Sequence, residues 1–433
     1  GYQNEKEELG EKQLQDTIEK LKQEYRKKDC VILYFIGLTE SYEGEGYDRK
    51  NLKIPQNQEE LLAEIAETVG KDHIAAISFG GAPMDFSFEK NVGAILHMYL
   101  GGQAVGESVA DLISGEVNPS GKLAETIPFS EKDTPAWRYF APPNDDVEYR
   151  ESIFVGYRYY ETFHVPVKYP FGYGLSYTSF SYSELNVPEV YSGGKIQIRF
   201  KIKNIGKVSG AEIAQLYICP IESDVIRSHI ELKGFQKIYL HPGEEKEVIL
   251  ELDERSFSVY DVEKKAFSML SGKYQICIGA SVHDLQLKAN MEVVGNSYFR
   301  NERELFPDYF REQPHGMEIS AEQFYQLLGG EPKHDKEKKR GEYTVYDSYQ
   351  DVVNVSMFGK FVRGVVHIGL KIILRGKSER DPAFKMVKMG VEEGNLEGLI
   401  ATSGGIATPK LIDMLVYNAN KKYLQAFKRL LKK

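Results

Sequence analysis

The chain has 433 residues, 42% of them hydrophobic and 27% charged, with a mean hydropathy of −0.41. That is the makeup of a globular protein of two or three domains. A formal charge of −9 argues against nucleic acid as the main partner, because phosphate binding calls for a basic surface. No stretch reaches the ~20 apolar residues that a membrane-crossing helix needs.

Residues 11 to 28 alternate charged and apolar residues at helical spacing. Cys30 to Gly37 is an uninterrupted apolar run that reads as a strand buried on both faces. A polar loop, Leu38 to Gln56, leads to a helix from Asn57 to Val69. The cycle then repeats, with a strand from His73 to Phe79, a break at Gly80-Gly81-Ala82-Pro83 and a strand from Ala94 to Tyr99. A helix from Gly101 to Ile113 follows, closed by Gly115. This rhythm predicts a layered α/β sandwich with a mainly parallel sheet. The glycines opening that last helix resemble an anion-binding turn, but the spacing is not G-x-G-x-x-G and no P-loop lysine follows, so packing is the expected role.

From Tyr182 the texture changes to period-two alternation in Ile196–Lys203, Ile213–Ile218, Glu247–Leu252 and Lys273–Ile278. Gly-, Pro- and Asn-rich turns separate these runs, which predicts an antiparallel β-sandwich of about 100 residues. Residues 297 to 350 are polar and irregular, and two helices are expected, near Val352–Leu374 and Pro409–Leu431. Cys30, Cys219 and Cys277 are odd in number and far apart, so no disulfide framework or zinc cluster can be read from them. They suit a reducing compartment, and the expected location is the cytoplasm. Gly1-Tyr2-Gln3-Asn4 has neither an initiator Met nor an apolar signal region, so the chain is expected to be a fragment.

The stretch richest in chemistry is Glu40-Ser41-Tyr42-Glu43-Gly44-Glu45-Gly46-Tyr47-Asp48-Arg49. It lies just past the C-terminal end of the first buried strand, where open α/β sheets bind ligands. Glycine lets the backbone bend and approach a ligand, and a Glu held there can protonate a leaving group. A solvated acidic turn or a cation loop is the competing reading, although the EF-hand spacing is absent. No metal site and no cofactor is expected.

The loop resembles the E-G-[YF]-D-R motif of family 3 glycoside hydrolases, in the α/β-sandwich domain that follows their barrel. Asn118-Pro119-Ser120-Gly121-Lys122-Leu123, Val155-Gly156-Tyr157-Arg158-Tyr159-Tyr160 and Pro170-Phe171-Gly172-Tyr173-Gly174-Leu175-Ser176-Tyr177-Thr178 resemble three further segments of that family in the same order. The last is the hinge into a fibronectin type III-like domain. The resemblance spans about residues 20 to 295 and implies retaining hydrolysis by two carboxylates on different domains. Carried over, it makes Glu45 the acid/base, with Glu43 the runner-up. Asp48 and Arg49 are expected to bind substrate or to support the loop, the latter through backbone N–H groups and a carboxylate respectively.

The barrel bearing the nucleophile has no counterpart in the chain, so the chain alone is expected to be inactive. Its partners would be a β-linked glycoside or oligosaccharide and a (β/α)8 barrel, in the same gene product or on another chain. A non-catalytic assembly or carbohydrate-contacting module is the alternative.

The expected domains are the α/β sandwich over 1–181, the β-sandwich over 182–296, and a linker with a basic helical tail over 297–433. From Ser356 onward 15 Lys and Arg oppose 6 Asp and Glu, a net +9, so the remainder carries −18 of the overall −9. Lys360, Arg363, His367, Lys371 and Arg375 form one helical stripe, while Phe361, Val365, Ile368 and Ile372 cover other faces. Such a helix can lie on an anionic membrane; packing of these apolar faces on the protein body is the expectation adopted.

Overall fold

The computed structural model describes residues 11–27, 30–39, 42–44, 48–49, 51–140, 147–295, 301–332, 338–373 and 381–431. The chain divides into two compact units, one formed by Gly1–Ala82, Lys90–Tyr99 and Lys333–Lys433, the other by Pro83–Glu89 and Leu100–Pro332.

The first unit opens with helix α1, Glu11–Lys27, followed by β1, Ile32–Gly37, α2, Gln56–Val69, β2, Ile74–Phe79, and β3, Ala94–His97. The strands form a parallel sheet in the order β1-β2-β3, with Ile32 beside Ile74 and Ala75 beside Ala94. Parallel neighbours need crossover connections, and α2 supplies the first, burying Leu62, Ile65 and Val69. One expectation fails here. Ile36 is buried, but Val31, Leu33 and Phe35 are exposed, so β1 alternates instead of being covered on both faces. An apolar run specifies a strand but does not say which element will cover each side.

The second unit begins with α3, Val105–Ser114, which Gly115 ends in the left-handed conformation at φ 81°, open to glycine without strain. A short antiparallel pair, β4, Ile127–Pro128, and β5, Val167–Tyr169, brackets α4, Tyr157–Thr162. The β-sandwich follows, made of β6, Phe180–Asn186, β7, Val190–Tyr191, β8, Ile196–Asn204, β9, Gly210–Pro220, β10, Glu231–Leu240, β11, Glu245–Leu252, the hairpin β12, Ser258–Asp261, with β13, Ala266–Met269, then β14, Gly272–Gly279, and β15, Leu285–Val293. One sheet runs β10-β9-β14-β15-β7 and the other β11-β8-β6. Inward residues of both sheets, among them Ile198, Phe200, Ile202, Leu216, Ile218, Ile276 and Ile278, make one core. Cys219 and Cys277 are buried on neighbouring strands with Sγ atoms 3.8 Å apart and unbonded. The adjacent Cys277 thiol, and then burial, push the Cys219 thiol far up.

Two family-like segments prove to be joints of this unit. Asn118 Oδ1 accepts from Ser176 Oγ and Tyr177 N, and its Nδ2 donates to Ser209 O. Lys122 Nζ donates to Gly174 O and pairs with Glu212 at 3.0 Å. Beyond the sandwich come α5, Glu302–Leu305, and α6, Ala321–Leu328; Phe306, just after α5, and Phe324 of α6 join a second core with Phe154, Tyr159, Phe163 and Tyr309. Tyr159 donates to Gln313 O and accepts from Gly316 N. The stretch after 297, read as irregular, is therefore partly built into the fold.

Among the described residues the tail forms six helices where two were expected. They are α7, Tyr349–Asn354, α8, Met357–Ile373, α9, Pro382–Glu392, α10, Leu396–Thr402, α11, Pro409–Ala419, and α12, Tyr423–Leu431. Side chains of Ser348, Asp381, Asn395 and Thr408 each accept a backbone N–H at a helix start, which divides runs that apolar periodicity joins. Val352, Val353, Val362, Leu396, Ile412 and Leu415 form their core.

Candidate active site

The loop after β1 is anchored at four places, all within the first unit. At its start, Gly37 N donates to Gln58 Oε1 and Gly37 O accepts from Gln58 Nε2, both at 3.0 Å. The Gln58 amide thus stands in for a neighbouring strand, and the Tyr34 hydroxyl donates to Gln58 O at 2.8 Å. Only glycine fits at 37, since an added Cβ would lie 2.7 Å from Phe79 O. Next comes a turn in which Tyr42 N and Glu43 N both donate to Thr39 O.

The third anchor is Glu43. Its Oε2 accepts from Gly81 N at 2.9 Å and its Oε1 from Ala82 N at 3.0 Å. Both oxygens are engaged by main-chain donors of the turn after β2, so this side chain ties the two loops at the C-terminal edge of the sheet. Arg49 donates to Lys53 O at 3.3 Å and so fastens the descending limb. Asp48 is exposed. Glu45, with Gly46 and Tyr47, lies outside the described residues.

Ser78 and His97 escape a reading of the sequence by motif. Ser78 Oγ and His97 Nδ1 are 2.9 Å apart at the ends of β2 and β3, and the His97 ring lies 4.1 Å from that of Tyr99. Polar residues inside otherwise apolar runs were the available signal. Burial pushes the His97 imidazole down to about 4, against the opposing pull of the Ser78 backbone and the Glu43 charge.

The folded state therefore favours neutral His97. The associated stability is present above the ordinary histidine value of 6.5 and is lost as pH falls toward about 4. After allowance for partial exposure, the expected loss is on the order of 2 kcal/mol. Urea unfolding at pH 7 and pH 4.5 should record it, and His97→Gln should flatten the dependence. An unchanged slope in that variant would assign the acid sensitivity elsewhere.

Comparison with known proteins identifies the two domains. Residues 2–177 match the glycosyl hydrolase family 3 C-terminal domain, and residues 212–282 match the fibronectin type III-like domain. Thermostable beta-glucosidase B of Acetivibrio thermocellus is 42% identical over 281 residues, covering 64% of this chain and 37% of that protein. The exo-alpha-(1->6)-L-arabinopyranosidase of Bifidobacterium breve is 37% identical over 273 residues, 63% of this chain and 36% of that one.

Among solved structures, the GH3 beta-glucosidase of Bifidobacterium adolescentis superposes with a TM-score of 0.63 at 35% identity. It covers 68% of this chain and 42% of that chain. Beta-glucosidase 3B of Thermotoga neapolitana, solved with alpha-D-glucose, gives 0.60 at 32%, covering 68% and 41%. The chain thus spans well under half the length of these relatives. It carries the glycosyl hydrolase family 3 C-terminal domain followed by a fibronectin type III-like domain.

Proposed function

We propose that the chain is the acid/base-bearing part of a retaining exo-β-glycosidase of β-glucosidase type, acting on terminal non-reducing β-D-glycosyl residues. Glu45 serves as general acid and then general base, and the nucleophile belongs to a (β/α)8 barrel outside these 433 residues. The observation that carries this reading is the anchoring of the loop. Gln58 fastens its start at the end of β1, and Glu43 fastens it to the turn after β2. Preorganisation of this kind is what proton transfer to a leaving oxygen needs. Retention further requires the two carboxyl groups ~5–5.5 Å apart, so the barrel must close on this loop. Asp48 and Arg49 hold the loop's far limb.

The test compares the 433-residue chain with the protein encoded by its full reading frame, on aryl and disaccharide β-glucosides. The chain alone should release no sugar, while the longer protein should. Turnover by the chain alone would overturn the split of the two carboxylates. A full-length frame that encodes no barrel, or that is inert on every glycoside, would favour a non-catalytic assembly module.

A further inference from the structure

Helix α8 presents three different faces. Phe358, Val362 and Val366 pack into the tail's core. About 100° around the helix, Met357, Phe361, Val365, Ile368 and Ile372 form a continuous row and are between 53% and 90% exposed. The row runs for about 22 Å at 1.5 Å per residue. Lys360, Arg363, His367 and Lys371 line its other flank. Between Met357 and Ile373 there is no Asp or Glu. Helix α12 repeats the pattern, exposing Tyr423, Leu424, Phe427, Leu430 and Leu431 beside Lys428 and Arg429, again without an acidic residue. The expected packing of Phe361, Val365, Ile368 and Ile372 on the protein body is not met, since all four are exposed; Phe358, Val362 and Val366 do the packing.

Two unbroken apolar rows, one on α8 and one on α12, are more than the single exposed side chains that any surface carries. Their flanks decide the occupant. Self-association through either row would set cations against cations, whereas stable helix seams pair opposite charges. A surface of negative charge over an apolar layer matches both features, and among the described residues no helix is long and apolar enough to cross a membrane. We propose that the tail is a peripheral anchor for an anionic lipid bilayer. In this arrangement α8 lies in the interface, with its apolar row among the acyl chains and its basic flank at the phosphates. The tail concentrates +9 against −18 in the remainder, so the attraction to such a surface resides in the tail. This reading is independent of the glycosidase assignment.

The whole chain should co-sediment with vesicles of equal parts phosphatidylcholine and phosphatidylglycerol at 0.1 M salt, and at least tenfold less with phosphatidylcholine alone. F361E combined with I368E should abolish binding without lowering the melting temperature, since both side chains are exposed. K360E with K371E should weaken binding at least tenfold. The proposal is overturned if the chain ignores anionic vesicles, or if F361E/I368E binds like the parent. It is equally overturned if sedimentation without lipid shows a dimer that this pair of substitutions dissolves, because the row would then be a self-contact.

Discussion

Glu45→Ala, made in the barrel-containing protein, should slow hydrolysis of cellobiose by about 10²- to 10⁴-fold, the usual worth of a positioned acid. A 2,4-dinitrophenyl β-glucoside, whose leaving group departs without a proton, should lose far less in the glycosylation step. Added azide should restore part of the rate on the activated substrate, by attacking the sugar intermediate in place of base-assisted water. Glu43→Gln should behave differently. It keeps the clasp's shape but replaces one acceptor oxygen with an amide that cannot accept from Gly81 and Ala82 together, so both substrates should slow alike through loop displacement. If Glu43→Gln shows the leaving-group dependence and Glu45→Ala does not, the two roles exchange.

Lys122→Met should strongly destabilise the second unit. Lys122 and Glu212 are 12% and 8% exposed and 3.0 Å apart, and Lys122 also satisfies Gly174 O. Removing the cation leaves a carboxylate buried with its counter-charge gone, a situation that costs about 3 kcal/mol or more. For a unit of this size, a fall of roughly 6–12 °C in its calorimetric transition is expected. Glu212→Gln added to Lys122→Met should recover part of the loss, since the stranded charge is then absent. A single-variant shift under about 2 °C would mean that water already compensates the pair.

Much of the architecture was visible before any coordinates. The apolar runs at 30–37 and 73–79 hold β1 and β2, although only β2 is largely buried. Alternation in 196–203 and 247–252 likewise gave β8 and β11. Gly115 closed its helix for the steric reason that makes glycine the usual terminator.

What escaped the sequence reading depends on partners far away in the chain. Asn118 and Lys122 were legible as family marks, but their work of tying the 118–122 turn to Gly174, Ser176, Tyr177 and Ser209 follows only from tertiary packing. Gln58 looked like an ordinary helix residue until its amide was found bonded to Gly37. The tail divides at Asp381, Asn395 and Thr408 because short polar side chains outcompete continued helix there. Periodicity of apolar residues cannot register that competition.

The open side of β1 has a practical consequence. Val31 to Ile36 is an uncharged run without proline, and among the described strands it forms the outer edge of its sheet. Such a segment is a template for cross-β growth when chains meet at high concentration. Preparations of the isolated polypeptide should therefore be refolded dilute and cold. Threonine at Leu33 and Phe35 would retain strand preference while removing the sticky surface, giving a better-behaved reagent for crystallisation or display.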